Sequence, residues 1–203
     1  MDGTYGPGHR IVVDQLKRES NISVIPWREA VRRLEAEGWL EIIPHVGAVV
    51  STFDTDAFAS SMRVVARLEG LATALAADRL TADEITAARA MNREMKKALA
   101  DFDPARFGRL NRQFHAEIYV RCGDDHLAQL VDAEWERVDF VRRSAFWYAP
   151  GRALASISEH DGLLDLLEAR ADPEVIETAA RRHELNTLEA ITEHQHQLDI
   201  DAG

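Results

Sequence analysis

The sequence predicts a mainly α chain in two parts: a winged helix-turn-helix over residues 1–53 and an all-α antiparallel helical bundle over 54–198. Three observations carry this expectation. Two short amphipathic patterns separated by a tight turn lead into "LEIIPHVGAVVS", where β-rich runs flank a turn from Pro44 to Gly47. After "STFDTD" the pattern is helical almost throughout, with legible capping signals. The charge divides at the same place: residues 1–53 hold 6 Lys/Arg against 7 Asp/Glu, so nearly all of the net charge of -11 belongs to residues 54–203.

Composition bounds the function. A chain of 203 residues that is 46% hydrophobic can build one or two true cores. Its acidity opposes coating nucleic acid or an anionic membrane over the whole surface, yet leaves room for a local basic patch. The single cysteine, Cys122, excludes an internal disulfide framework and fits a reducing cytoplasm. "MDGTYGPGHR" lacks a secretion-signal pattern, and no run approaches the roughly twenty apolar residues of a membrane span. A cytoplasmic protein with no membrane partner is expected.

In chain order, the stretch "ISVIPWREAVRRLEAEGW" forms the second short helix, with Ser23 placed to cap it. Trp27, Val31 and Leu34 recur at i, i+4 and i+7 and should pack on the helix carrying Val12, Val13 and Leu16. Arg28, Arg32 and Glu35 make the opposite face. Periodicity alone does not separate a DNA-reading face from a solvated one; the tight turn before it, the wing after it and the nearby arginines favour DNA.

The bundle helices are expected at about 56–78, 82–100, 104–121, 125–148, 152–170 and 173–196. Thr55 can cap the first. "TADE" at 81–84 is a capping box, and Asp103-Pro104 and Asp172-Pro173 each set a capping carboxylate before a proline that needs no donor. "YAPG" at 148–151 interrupts another helix.

"PGHRIVVDQLKRESNISVIPWREAVRRLEAEGWLEIIPHVGAVVS" resembles the winged-helix domain of the GntR transcriptional regulators. The matching residues are "PG" at 7–8, Ser23, Pro26, Arg28, Glu29, Ala30, "RRLEAEG" at 32–38 and "GAVV" at 47–50. The resemblance implies binding to a double-stranded DNA operator by Ser23, Trp27, Arg28, Arg32, His45 and Gly47. Two departures stand out. The family's arginine after the serine is Val24 here, and the wing-tip arginine is Val46; neither valine can neutralise phosphate or donate to guanine. The family's first supporting helix has no counterpart, so an N-terminally shortened domain and weaker or altered DNA binding are expected.

The bundle carries histidines where helices can aim them inward. "LNRQFHAEIY" places Asn111 and His115 one turn apart on one face, a spacing that suits two ligands of one ion. His160 lies among Leu163, Leu164 and Leu167, and His183 lies among alanines and leucines. An isolated histidine on an apolar face is more often a hydrogen-bonded core residue, so the residues alone leave both readings open. His126, His194 and His196 read as surface or tail positions.

The same region, nearly all of 56–190, is similar to the FCD effector domain of the FadR-type GntR subfamily. Arg67, Glu69, Asn111, His115, Glu159, His160 and His183 occupy that family's positions. The resemblance implies a divalent metal ion, zinc or nickel, held by Asn111, His115, His160 and His183, with Asn in place of the commoner Asp. It further implies a small carboxylate effector anchored by Arg67, and a homodimer. Arg142 and Arg143 could face solvent or ligand. No HExxH, Gly-x-Ser-x-Gly, P-loop or dinucleotide glycine pattern is present, so no enzyme is expected.

Overall fold

The computed structural model describes residues 8–20, 22–36, 40–50, 55–148 and 150–201. The chain divides into two compact units, Met1–Asp54 and Thr55–Gly203.

In the first unit, α1 (Val13–Ser20) and α2 (Val24–Ala36) accompany a sheet of β1 (Arg10–Ile11), β2 (Leu40–Ile43) and β3 (Gly47–Val50). The strand order is β1-β3-β2, antiparallel throughout, with Leu40 opposite Val50 and Ile43 opposite Gly47. The hairpin matches the expected "LEII" and "GAVV" runs; β1 lies outside the sequence expectation, because two residues carry no periodicity. Val31, Leu40 and Ala48 form a small core, with Ile11, Val13 and Val50 against it. Leu34 departs from the expected inward stripe and is 37% exposed. Pro26 sits in the first turn of α2, where a missing N–H costs no helical bond.

Trp27 is half-buried, and its indole Nε1 donates to Ser20 Oγ at 3.1 Å, while Ser20 Oγ donates to the Leu16 carbonyl at 2.6 Å. The ring therefore fastens α2 to the end of α1. At the hairpin turn His45 adopts φ 66° and Gly47 φ 105°. Histidine is among the side chains that tolerate the left-handed region, whereas glycine suits the second position.

The second unit comprises α3 (Thr55–Ala76), α4 (Ala82–Ala100), α5 (Pro104–Tyr119), α6 (Asp125–Tyr148), α7 (Pro150–Glu168) and α8 (Pro173–Asp201). The capping box at Thr81 forms: Thr81 N donates to Glu84 Oε2 at 2.9 Å, and Glu84 N to Thr81 Oγ1 at 3.3 Å. Asp103 Oδ1 accepts from Arg106 N, and Asp172 Oδ1 from Glu174 N. Helices α4 and α7 end in left-handed residues, Phe102 and Arg170. Asp103 N then reaches back to the Ala98 carbonyl and Ala171 N to the Leu166 carbonyl, closing the last turns.

Boundaries differ where the last turn changes type. Helix α5 tightens into a 3₁₀ turn at Val120–Cys122, stopped by Gly123 at φ 76°. Helix α7 begins at Pro150, two residues earlier than expected, and α8 continues to Asp201. Helix α3 packs chiefly on α8 and α6, and α4 on α5 and α7. Gly70 permits the close approach of α3 to α8, since a Cβ there would lie 3.1 Å from the Glu177 carbonyl oxygen. The core includes Met95, Phe114, Ile118, Leu164, Leu167 and Ile176, all within 2% of complete burial. No helix among the described residues is long and apolar enough to cross a membrane.

Candidate functional site

Inside the bundle, α5, α7 and α8 bring His115, His160 and His183 together, one ligand nitrogen from each lying within 4.8 Å of the others. All three are at most 3% exposed. Each ring is held from behind by an oxygen acceptor. His115 Nδ1 meets Glu69 Oε1 at 2.5 Å, His160 Nδ1 meets Asn92 Oδ1 at 3.0 Å, and His183 Nδ1 meets Glu159 Oε2 at 2.7 Å. The acceptor role of Asn92 is fixed by its amide, which donates to the Ile157 carbonyl at 2.9 Å and to Asp161 Oδ1 at 2.8 Å.

With Nδ1 as donor, each neutral imidazole keeps its lone pair on Nε2. His160 Nε2 and His183 Nε2 lie 3.2 Å apart. At that distance either one ring carries its proton on Nε2 and donates to the other, or a metal ion takes both lone pairs. Oxygen partners on the far ring nitrogen are the usual support of histidine ligands.

Asn111 lies one turn before His115 on α5, is 4% exposed, and its Oδ1 has no hydrogen-bond partner among the described residues. A buried amide oxygen left so is costly unless something else uses it. The donor set of three imidazole nitrogens and an amide oxygen fits a divalent first-row ion.

Carboxylates complete the surroundings. Glu69 accepts from the Trp135 indole Nε1 at 2.5 Å as well as from His115. Glu159 is bonded by Arg152, by His183 and by Asn186 Nδ2 at 2.7 Å. Burial opposes charge on Glu159, but the hydrogen bonds from His183 and Arg152 outweigh it and hold its pKa down at about 2. Arg152 also donates to the His183 carbonyl at 2.9 Å and to Thr187 Oγ1 at 2.9 Å.

Of the sequence-derived metal residues, the three histidines converge and Asn111 lies buried one turn from His115, whereas Arg67 is turned to the surface. It is exposed on α3, and two helical steps from buried Glu69 rotate a side chain by about 200°. Arg152 reaches the cluster instead; it stands in the "YAPGR" break, where no apolar period signals its direction. Asn92 and Trp135 likewise carry no signal in the sequence, since each meets the site only through helix packing. The side chains of Arg142 and Arg143 lie outside those described.

In the first unit, Ser23, Arg28, Arg32, His45 and Gly47 are all exposed. Arg28 and Arg32 are one turn apart on one face of α2. Trp27 is half-buried and its indole N–H is engaged with Ser20 Oγ, so the ring braces the two helices. Strand β1 brings one cation to the wing: the Arg10 guanidinium Nε lies 4.0 Å from where a Gly47 Cβ would stand.

A helix pair with a three-stranded wing and a helical bundle enclosing a histidine cluster make a two-module chain of the winged-helix class. The family models described as "FCD domain" and "Bacterial regulatory proteins, gntR family" match residues 60–187 and 1–50. The chain belongs to the GntR family of bacterial regulatory proteins with an FCD domain.

It is 28% identical over 143 residues to the HTH-type transcriptional regulator YdhC of Bacillus subtilis, covering 70% of this chain and 64% of that one. It is 26% identical over 136 residues to the HTH-type transcriptional regulator McbR of Escherichia coli, covering 67% and 62%. The matched region thus spans a little under two thirds of each of these relatives. The crystal structure of a GntR family member from Pseudomonas syringae pv. tomato aligns over 97% of this chain and 82% of its own, with TM-score 0.58 and 27% identity. The E. coli McbR/YncC structure shares the fold at TM-score 0.60 and 23% identity, covering 97% and 91%. These families and relatives are regulators, not enzymes.

Proposed function

We propose that the chain is a transcriptional regulator that binds double-stranded DNA with its first unit and responds to a small carboxylate at a divalent metal centre in its second. The observation that carries the sensing half is the convergence of three buried histidines, each backed by an oxygen acceptor, with a buried Asn111 one turn before His115 whose Oδ1 has no partner among the described residues. Asn111, His115, His160 and His183 would hold the ion, zinc or nickel by donor type. When bound, the ion supplies a Lewis-acid position that accepts a carboxylate oxygen. Arg152, already at His183 and Glu159, is the cation placed to orient an anionic ligand, in preference to the exposed Arg67.

Reading rests on Ser23 just before α2, on Arg28 and Arg32 on α2, and on His45, Gly47 and Arg10 at the wing. Two copies of the chain would present paired half-sites. A carboxylate alters DNA affinity only if it binds two arrangements of the helices unequally; α5, α7 and α8 carry the cluster and are the elements so biased.

Gel-shift of the full chain against the DNA upstream of its own gene, with and without small carboxylates and divalent ions, tests the scheme. A ligand-dependent shift supports it. Metal content of the purified protein checks the centre separately, near one ion per chain in the wild type and a loss in His160→Ala.

A second reading comes from the apolar reading surface: Ile25 is 70% exposed at the start of α2 and Val46 39% exposed at the wing tip. In that reading the protein binds metal and carboxylate but has weakened or lost operator binding. Stoichiometric metal with no DNA shift at low salt selects it.

A further inference from the structure

We propose that Trp135 is a positioning residue of the histidine centre: through Glu69 it fixes which nitrogen of His115 carries the proton, and therefore which one is open to a cation. The inference rests on the metal-centre reading above. Trp135 on α6 is completely buried, and a buried indole N–H needs an acceptor. Its acceptor is Glu69 Oε2 at 2.5 Å, while the other oxygen of that carboxylate accepts from His115 Nδ1 at 2.5 Å. One buried carboxylate on α3 thus joins α6 to a histidine of α5.

A carboxylate bonded through one oxygen can pivot about its side-chain torsions; bonded through both, it presents each oxygen in one direction. That direction matters at His115, because a second buried carboxylate lies near the same nitrogen. Glu184 Oε1 stands 3.6 Å from His115 Nδ1, beyond hydrogen-bond distance. With Glu69 held at the shorter distance, the proton stays on Nδ1 and the lone pair on Nε2. Removing an oxygen partner that orients a histidine ligand in this way commonly costs about 10–100-fold in metal affinity.

The indole is itself held. The Arg112 guanidinium lies over the ring, 5.1 Å from its centroid, and is fixed by Asp132 at 2.5 Å and by the Tyr119 hydroxyl. A cation on the ring face attracts it, which opposes turning the N–H away from Glu69. The ring centroid also lies 5.0 Å from that of His115. Direct packing on His115 would act whether or not Glu69 is present, whereas positioning through Glu69 would not, and this difference separates the two roles.

Cobalt(II) titration of the full chain, in a double-mutant cycle of Trp135→Phe with Glu69→Met, tests the proposal. Trp135→Phe should bind about tenfold more weakly than wild type, Glu69→Met at least as weakly, and the double variant no more weakly than Glu69→Met. Unchanged affinity in Trp135→Phe, or losses that add in the double variant, overturns the proposal and leaves the histidine centre standing. Imidazole nitrogen chemical shifts of the metal-free chain give a readout that needs no ion. His115 should carry its proton on Nδ1 in the wild type and move toward the Nε2 tautomer in Trp135→Phe; an unchanged tautomer overturns the proposal. If the wild type binds no cobalt, the metal-centre reading fails, and the tautomer alone decides the role of Trp135. If Trp135→Phe lacks the wild-type helical circular dichroism, β-(3-benzothienyl)alanine in place of Trp135 carries the comparison. It keeps the ring size and replaces the N–H by sulfur, so wild-type affinity or an unchanged tautomer there overturns the proposal.

Discussion

Replacing Asn92 by leucine removes three hydrogen bonds from a residue that is 2% exposed while leaving its volume nearly unchanged. The amide bond to the Ile157 carbonyl and the acceptor for His160 Nδ1 are both buried, and the bond to Asp161 is partly so. Each ordinary hydrogen bond contributes about 1 kcal/mol net, and a buried donor left without a partner costs about 1–3 kcal/mol. The His160 N–H is such a donor, whereas Asp161 can turn toward water. The expected loss is therefore about 2–4 kcal/mol, or on the order of 5–15 °C in Tm for a chain of this size. Urea and thermal unfolding followed by circular dichroism measure it. Metal affinity should fall as well, by about 10–100-fold, because His160 loses the partner that fixes its donor nitrogen. A variant within about 0.5 kcal/mol of wild type that binds metal equally well would refute the role of Asn92 as the anchor of His160.

Glu84 gives a pH dependence whose sign is fixed by its lowered pKa. The Thr81 backbone N–H, then Arg121, then the Thr81 hydroxyl hold it down from 4.5 to about 2. Its stabilising contribution is complete above about 4.5 and disappears as pH falls through about 2, so the stability gap between wild type and Glu84→Gln should narrow over that window and stay flat from pH 6 to 8. A gap that does not change with pH contradicts the capping-box charge. Gly70→Val should destabilise the bundle by about 1–3 kcal/mol, since its Cβ would meet the Glu177 carbonyl oxygen at 3.1 Å and the Arg181 Cβ at 3.3 Å. Because α3 carries Glu69, which backs His115, and α8 carries His183, the same variant should weaken metal binding; wild-type stability and binding together would exclude Gly70 as the contact point.

Legibility in the sequence tracks the range of the physics involved. Helix starts are legible because their signals are local: Thr81 with Glu84, and Asp103 and Asp172 before their prolines, each satisfy donors within four residues. The wing hairpin is legible for the same reason. The inward histidines are readable as one-turn neighbours or members of apolar faces, and their identity as a set comes from family resemblance.

Strand β1 is hidden in the sequence because its pairing with β3 joins residues almost forty positions apart and leaves no repeat in two residues. Leu34 shows the limit of periodicity: its spacing places it with Trp27 and Val31, but the small core closes on Val31 and leaves it 37% exposed. Arg67 shows the limit of motif transfer, since a helix rotates the side chains of Arg67 and Glu69 to different sides.

The sequence by itself determined the two-part architecture, the helix caps, the turn at His45 and Gly47, and the four residues nominated for the metal. Each depends on spacing along one element or on a signature carried whole in the chain. Only the tertiary structure decided which groups stand behind and beside those residues: Asn92 behind His160, Trp135 on Glu69, Arg152 at Glu159, and Glu184 between His115 and His183. Those partners lie on different helices, and their meeting is set by how α3, α4, α6, α7 and α8 pack, which no local pattern encodes.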